Sequence, residues 1–169
     1  MNEKQQIEKA TAEGFLNFYN RDFGTDFMIV KLGNSGGPID VKCQNSKGDV
    51  LNLQITMTED RPGDIIANLS RSDHLSLEIL SKDLDEGSGL RSSSLEGNVL
   101  DNVITLIKKK LLDSYDPSTA LIVRDTSGVD WDWDCVIDKI KREIAMKRNP
   151  FDKGIWIINN AKTKLYRVG

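Results

Sequence analysis

Histidine and cysteine are almost missing from this 169-residue chain, which has one histidine, His74, and two cysteines, Cys43 and Cys135, far apart in sequence. No CxxC pair forms, and with a single histidine no zinc site is set by ligand spacing. No apolar run approaches the roughly 20 residues that cross a bilayer, so no membrane partner is expected. The start, MNEKQQIEKATAEG, carries too much charge for the apolar core of a signal peptide, and a cytoplasmic location is expected. There is no excess of positive charge either. The formal net charge is −3, so nucleic acid would have to be met by local patches rather than by a global field.

Familiar chemical motifs are equally scarce. GNSGGP (33–38) is glycine-rich but lacks GxGxxG or a following Lys-Ser/Thr, which argues against a phosphate loop. VDWDWD (129–134) spaces Asp130, Asp132 and Asp134 like the opening of a calcium loop. It lacks the glycine and the closing glutamate, so capping of the next helix is the expected role. His74 sits in a polar SRSDHLS setting and reads as a surface residue, and no Ser/His/Asp arrangement follows from spacing. There is no internal repeat. The length suits one domain, residues 1–169, large enough to bury a core.

What is present is alternation. In PIDVKCQNSKGDVLNLQIT (38–56), Ile39, Val41 and Cys43 alternate with Asp40, Lys42 and Gln44. After a polar NSKGD turn, Leu51, Leu53, Ile55 and Met57 alternate with Asn52, Gln54, Thr56 and Thr58. Period-two patterning predicts two strands, one face apolar and the other polar along its length. Cys43 falls on the apolar face as a small core residue. The polar face is either wet or a site.

Around this pair, residues 5–20 predict a helix with Gly24 as its stop, and 26–32 a short strand. Residues 65–80 fit a short helix followed by a short strand or another helix, and 83–94 (DLDEGSGLRSSS) read as a flexible loop. The strongest helix is 94–115, with Leu95, Val99, Val103, Leu106, Ile107 and Leu111 on one face and Lys108 to Lys110 near its end. TALIVRD (119–125) predicts a buried strand, 132–148 a second helix, and GIWIINN with TKLYRVG a terminal hairpin. The fold class is α/β with α+β character: a central mixed sheet flanked by helices.

This order, with Asp40 on one strand and Gln54 on the next, resembles the PD-(D/E)XK nuclease superfamily over most of residues 7–125. The motif carriers are Pro38-Ile39-Asp40 and Gln54-Ile55-Thr56, with an acid on the first helix, Glu8, or Glu13 as its rival. The resemblance implies a restriction-endonuclease-like αβββαβ core. It implies Mg²⁺ held by Asp40, Gln54 and Glu8, and hydrolysis of a DNA phosphodiester. The family's lysine position is Thr56, which carries no charge; Lys42, on the same strand face as Asp40, is the expected stand-in. Two other readings stay open. One is a nuclease fold eroded at Thr56 and kept for nucleic-acid or protein contact; the other is an unrelated domain whose polar face is solvated. Lys108–Lys110 with Lys139, Lys141, Arg142, Lys147 and Arg148 could form a basic stripe, although solvation is the expected role of most such residues.

Overall fold

A computed structural model describes residues 1–34, 36–58, 92–126 and 132–169, with only the backbone for 92–99. Among the described residues, three helices and six strands follow in the order α1 (Glu3–Phe23), β1 (Met28–Leu32), β2 (Val41–Gln44), β3 (Val50–Met57), α2 (Ser92–Lys110), β4 (Thr119–Arg124), α3 (Trp133–Ile144), β5 (Ile155–Ile158) and β6 (Leu165–Arg167). The sheet runs β1 to β6 in sequence order. The β1–β2, β2–β3 and β5–β6 pairs are antiparallel, and β3–β4 and β4–β5 are parallel. Parallel neighbours need crossovers, and α2 and α3 lie on those two connections.

The first helix starts two residues earlier than its apolar pattern alone suggests, because Asn2 and Gln5 form a reciprocal capping box. It ends as expected at Gly24, whose left-handed backbone (φ 63°) suits a residue without Cβ. Its buried stripe of Ile7, Glu8, Ala12, Phe15 and Leu16 lies on one sheet face with Val41, Cys43, Leu51, Leu53, Ile55, Ile122 and Trp156. The other face carries Leu121, Val123, Ile155 and Ile157 under Val103 and Ile107 of α2 and Ile137 and Ile140 of α3. Helices on both faces explain why β4 and β5 are buried throughout, with continuous apolar runs at 120–123 and Ile155–Ile158 rather than alternation.

Several expectations shift at their edges. The helix expected over 94–115 begins at Ser92, taking up the last residues of the stretch read as a loop. It stops at Lys110, where Leu112 and Asp113 donate to carbonyls three residues back and tighten the final turn. Residues 65–80 and most of 83–94 lie outside the described residues, as do His74, Asp130 and Trp131. Trp133 is a core residue of α3. Asp132 sits at that helix's N-cap without a side-chain cap bond; its carboxylate accepts from the Cys135 thiol at 3.2 Å.

The polar face of the β2–β3 pair is not uniformly wet. Lys42 and Gln44 on β2 are exposed, but Asn52 and Gln54 on β3 are buried. Ser118, just before β4, closes over Asn52 and accepts its amide at 2.9 Å. That contact crosses 66 positions of sequence, so local alternation does not reveal it. Among the described residues, no helix is long and apolar enough to cross a membrane.

Candidate functional site

Asp40 stands one residue before β2, where the chain returns from β1. Gly33 N–H donates to the Asp40 carbonyl at 2.7 Å, and Asp40 N–H donates to Leu53 O at 2.9 Å, so its backbone is held from both sides. Gly33 is required for this approach, since a Cβ there would lie 2.0 Å from the Ile39 carbonyl oxygen. The glycine-rich turn thus delivers an aspartate to the rim of the sheet, the role left over once a phosphate loop is set aside.

The Asp40 side chain completes the ladder. Its Oδ2 accepts Ile55 N–H at 2.7 Å and Gln54 Nε2 at 2.6 Å. Both bonds fall on one oxygen; among the described residues none falls on Oδ1, nor on the Gln54 amide oxygen. Asp40 and Gln54 are each 5 % exposed. Burial raises the Asp40 pKa above its ordinary value, against the opposing pull of Ile55 N–H, Lys4, Lys110 and Gln54.

Glu8 arrives from the first turns of α1 and is 4 % exposed. Its Oε1 is buried without a hydrogen bond and meets Lys4 Nζ, one turn earlier, at 3.3 Å. Burial first, and the neighbouring Asp40 charge second, hold its pKa above the usual range, while Lys4 pulls it down. Glu13, the rival acid, is exposed and pairs with Lys9 at 3.8 Å. Both carboxylates are therefore buried, near enough for the Asp40 charge to act on Glu8, and each carries a penalty for its own charge. Such a penalty is relieved by a cation.

The oxygens left over fit a hard divalent metal, which takes carboxylate and amide oxygens. Among the described residues no three His, Cys, Asp or Glu side chains gather as a metal-holding group. A metal held by Asp40 and Glu8 would have to take the Gln54 amide oxygen as its third protein donor, on a side chain whose Nε2 is bonded to Asp40.

The other expected members fall further out. Thr56 follows Gln54 on the same strand face, half-buried and opposite Val123 of β4. Lys42 is exposed, with Asn52 opposite on β3 and Lys31 opposite on β1. The lysines whose charges act on Asp40 are Lys4 of α1 and Lys110 at the end of α2. Neither follows from strand alternation, although Lys4 four residues before Glu8 is a recognisable helix pair. Lys108, from the expected basic stripe, is engaged with Glu143 at 3.0 Å and ties α2 to α3.

A second polar group also escaped the strand pattern. At the C-terminal ends of β3 and β4, Thr58 Oγ1 lies 3.4 Å from Asp125 Oδ1 and accepts Thr126 N–H at 3.0 Å. Asn102 of α2 donates to the Thr58 carbonyl at 2.6 Å. These residues join three elements distant in sequence and close the sheet's rim beyond Thr56.

Comparison with known proteins adds no relative: no family model, no curated protein and no solved structure matches this chain.

Proposed function

We propose that the chain is a metal-dependent nuclease-like domain of the PD-(D/E)XK kind that hydrolyses a DNA phosphodiester. What supports this reading is the burial of Glu8, Asp40 and Gln54, from three separate stretches of the chain, with Gln54 bonded to Asp40 and the Asp40 charge acting on Glu8. A solvated sheet face has no reason to bury two carboxylates together, because each loses hydration that the other cannot restore. Among the described residues the order α1, β1, β2, β3, α2, β4, with antiparallel pairing through β3 and a parallel β4, is one an αβββαβ core would have, which supports the reading.

Asp40, Gln54 and Glu8 would hold Mg²⁺, which supplies polarisation of the phosphodiester and a more acidic bound water. Asp40 keeps its carboxylate fixed through Ile55 N–H, leaving Oδ1 for the ligand. Gln54 is oriented by its own bond to Asp40. Incubation of supercoiled plasmid with Mg²⁺ or Mn²⁺ tests this: nicking that disappears in Asp40→Asn supports the enzyme.

The uncharged Thr56 favours a second reading, in which the same fold is kept for binding nucleic acid or a protein partner without cleavage. Retained DNA binding by a protein that never nicks plasmid would select it.

A further inference from the structure

We propose that the open edge of the sheet, β1 with the groove between it and α1, is a docking site for an extended acidic peptide segment of another protein, which adds beside β1 as a further strand. The proposal needs neither a metal nor cleavage and so stands apart from the nuclease-like reading.

β1 spans five residues and is hydrogen-bonded to β2 on one side only, because it lies at the end of the sheet. A free row of strand N–H and C=O groups is a template for another strand unless shortness, charge or a bulge blunts it. The opposite edge, β6, is blunted by its length of three residues. At β1 the blunting is partial: the ladder is irregular around Val30, and Lys31 is exposed. Met28 and Val30 stand 69 % and 53 % exposed, apolar side chains on an unpaired edge. Beside them a groove of about 550 Å³ runs between α1 and β1, with Leu16, Asn17 and Asn20 on its helix side and Phe27, Ile29 and Leu32 on its strand side. An added strand would bond to the β1 backbone and turn every second side chain toward this groove.

Charge decides the occupant. Lys31 lies directly opposite Lys42 of β2, and residues so placed share a sheet face, where like charges repel. Both are exposed, and among the described residues neither has an ion-pair partner. Lys9 and Glu13, on the helix wall of the groove, satisfy each other at 3.8 Å. An incoming strand with acidic residues on the Lys31 side and apolar residues on the groove side meets both requirements. A second copy of the chain does not. Pairing two β1 strands antiparallel about Val30 would crowd both Lys31–Lys42 pairs onto one short edge. Nucleic acid could meet the lysines but brings no strand backbone to the edge.

Three labelled probes test this by fluorescence anisotropy against the full chain: an alternating valine–glutamate octapeptide, its valine–lysine counterpart and oligo-dT. Hydrogen exchange locates the contact. The valine–glutamate peptide should bind in preference to the valine–lysine one, slow exchange of β1 amides and leave those of β6 unchanged. Lys31→Glu should weaken it about tenfold and improve binding of the valine–lysine peptide. Lys147→Glu, the same charge reversal beyond α3, should match wild type; both positions are exposed, so neither change threatens the core. Absence of valine–glutamate binding, equal binding of the two peptides, or indifference to Lys31→Glu overturns the proposal. So does protection of β1 amides by raised protein concentration alone, which would assign the edge to a second copy. Oligo-dT bound in the peptide's place and lost in Lys31→Glu would assign the lysines to nucleic acid and overturn it as well. Plasmid nicking has no part in these readouts, so failure of the nuclease-like reading leaves them unchanged.

Discussion

Replacing Glu8 by glutamine should stabilise the fold while removing its function. The wild-type carboxylate is 4 % exposed, lies beside a second acid and has a half-exposed lysine as its ion-pair partner. The i,i+4 pair returns no more than about 0.5 kcal/mol. Glutamine keeps the shape, drops the charge and removes the repulsion from Asp40. A net gain of about 1 kcal/mol is expected, which for a domain of this size raises Tm by about 2–4 °C. The pH dependence fixes the cause. The folded-state pKa of Glu8 is raised, so the unfolded chain releases this proton first as pH increases. Wild-type stability is therefore lost between the ordinary glutamate range and the raised folded value, and the lower stability persists above it. The advantage of Glu8→Gln should thus be small near pH 4 and full at pH 8. Thermal melts by circular dichroism across that range, with EDTA present, measure it. A variant less stable than wild type at pH 8 would show that the Glu8 carboxylate serves the fold, and would refute the reasoning.

Asp40 should behave in the opposite way. Asp40→Ala orphans Ile55 N–H and the Gln54 amide and should cost about 2–4 kcal/mol, whereas Asp40→Asn keeps an acceptor in place of Oδ2 and should stay within about 1 kcal/mol of wild type, as chemical denaturation would report. Gly33→Ala puts a Cβ against the Ile39 carbonyl and should lower Tm and disrupt metal binding together; an unperturbed melt would show that the turn yields. Of the two thiols, exposed Cys135 should react promptly with a disulfide reagent. Cys43, buried and with its pKa pushed up to about 12, should react only on unfolding, as the stoichiometry with and without denaturant reveals.

The parts of the fold legible in the sequence are those written in local periodicity. Val41, Cys43, Leu51, Leu53 and Ile55 show their core face by strict alternation, and they are buried as expected, in a cluster with Ala12, Phe15 and Leu16 of α1. The terminal hairpin and the α1 stop at Gly24 follow from short-range turn and cap chemistry. What was hidden is non-local. By pattern Asn52 and Thr58 belong to the polar strand face, and only the contacts with Ser118, and with Asp125 and Thr126, reveal that they are buried. In the candidate site, Asp40 and Gln54 could be placed beside each other from strand register alone. Choosing Glu8 over Glu13 required knowing how α1 lies on the sheet, because both acids border its apolar stripe and only Glu8 is buried.

The central claim is tested most directly by nicking of supercoiled plasmid with Mn²⁺, comparing wild type with Asp40→Asn at equal folded concentration and with EDTA as the blank. The account predicts nicking by wild type, none with EDTA, and loss of about 100-fold or more in Asp40→Asn. Equal nicking by the two proteins, or none by either, would contradict it.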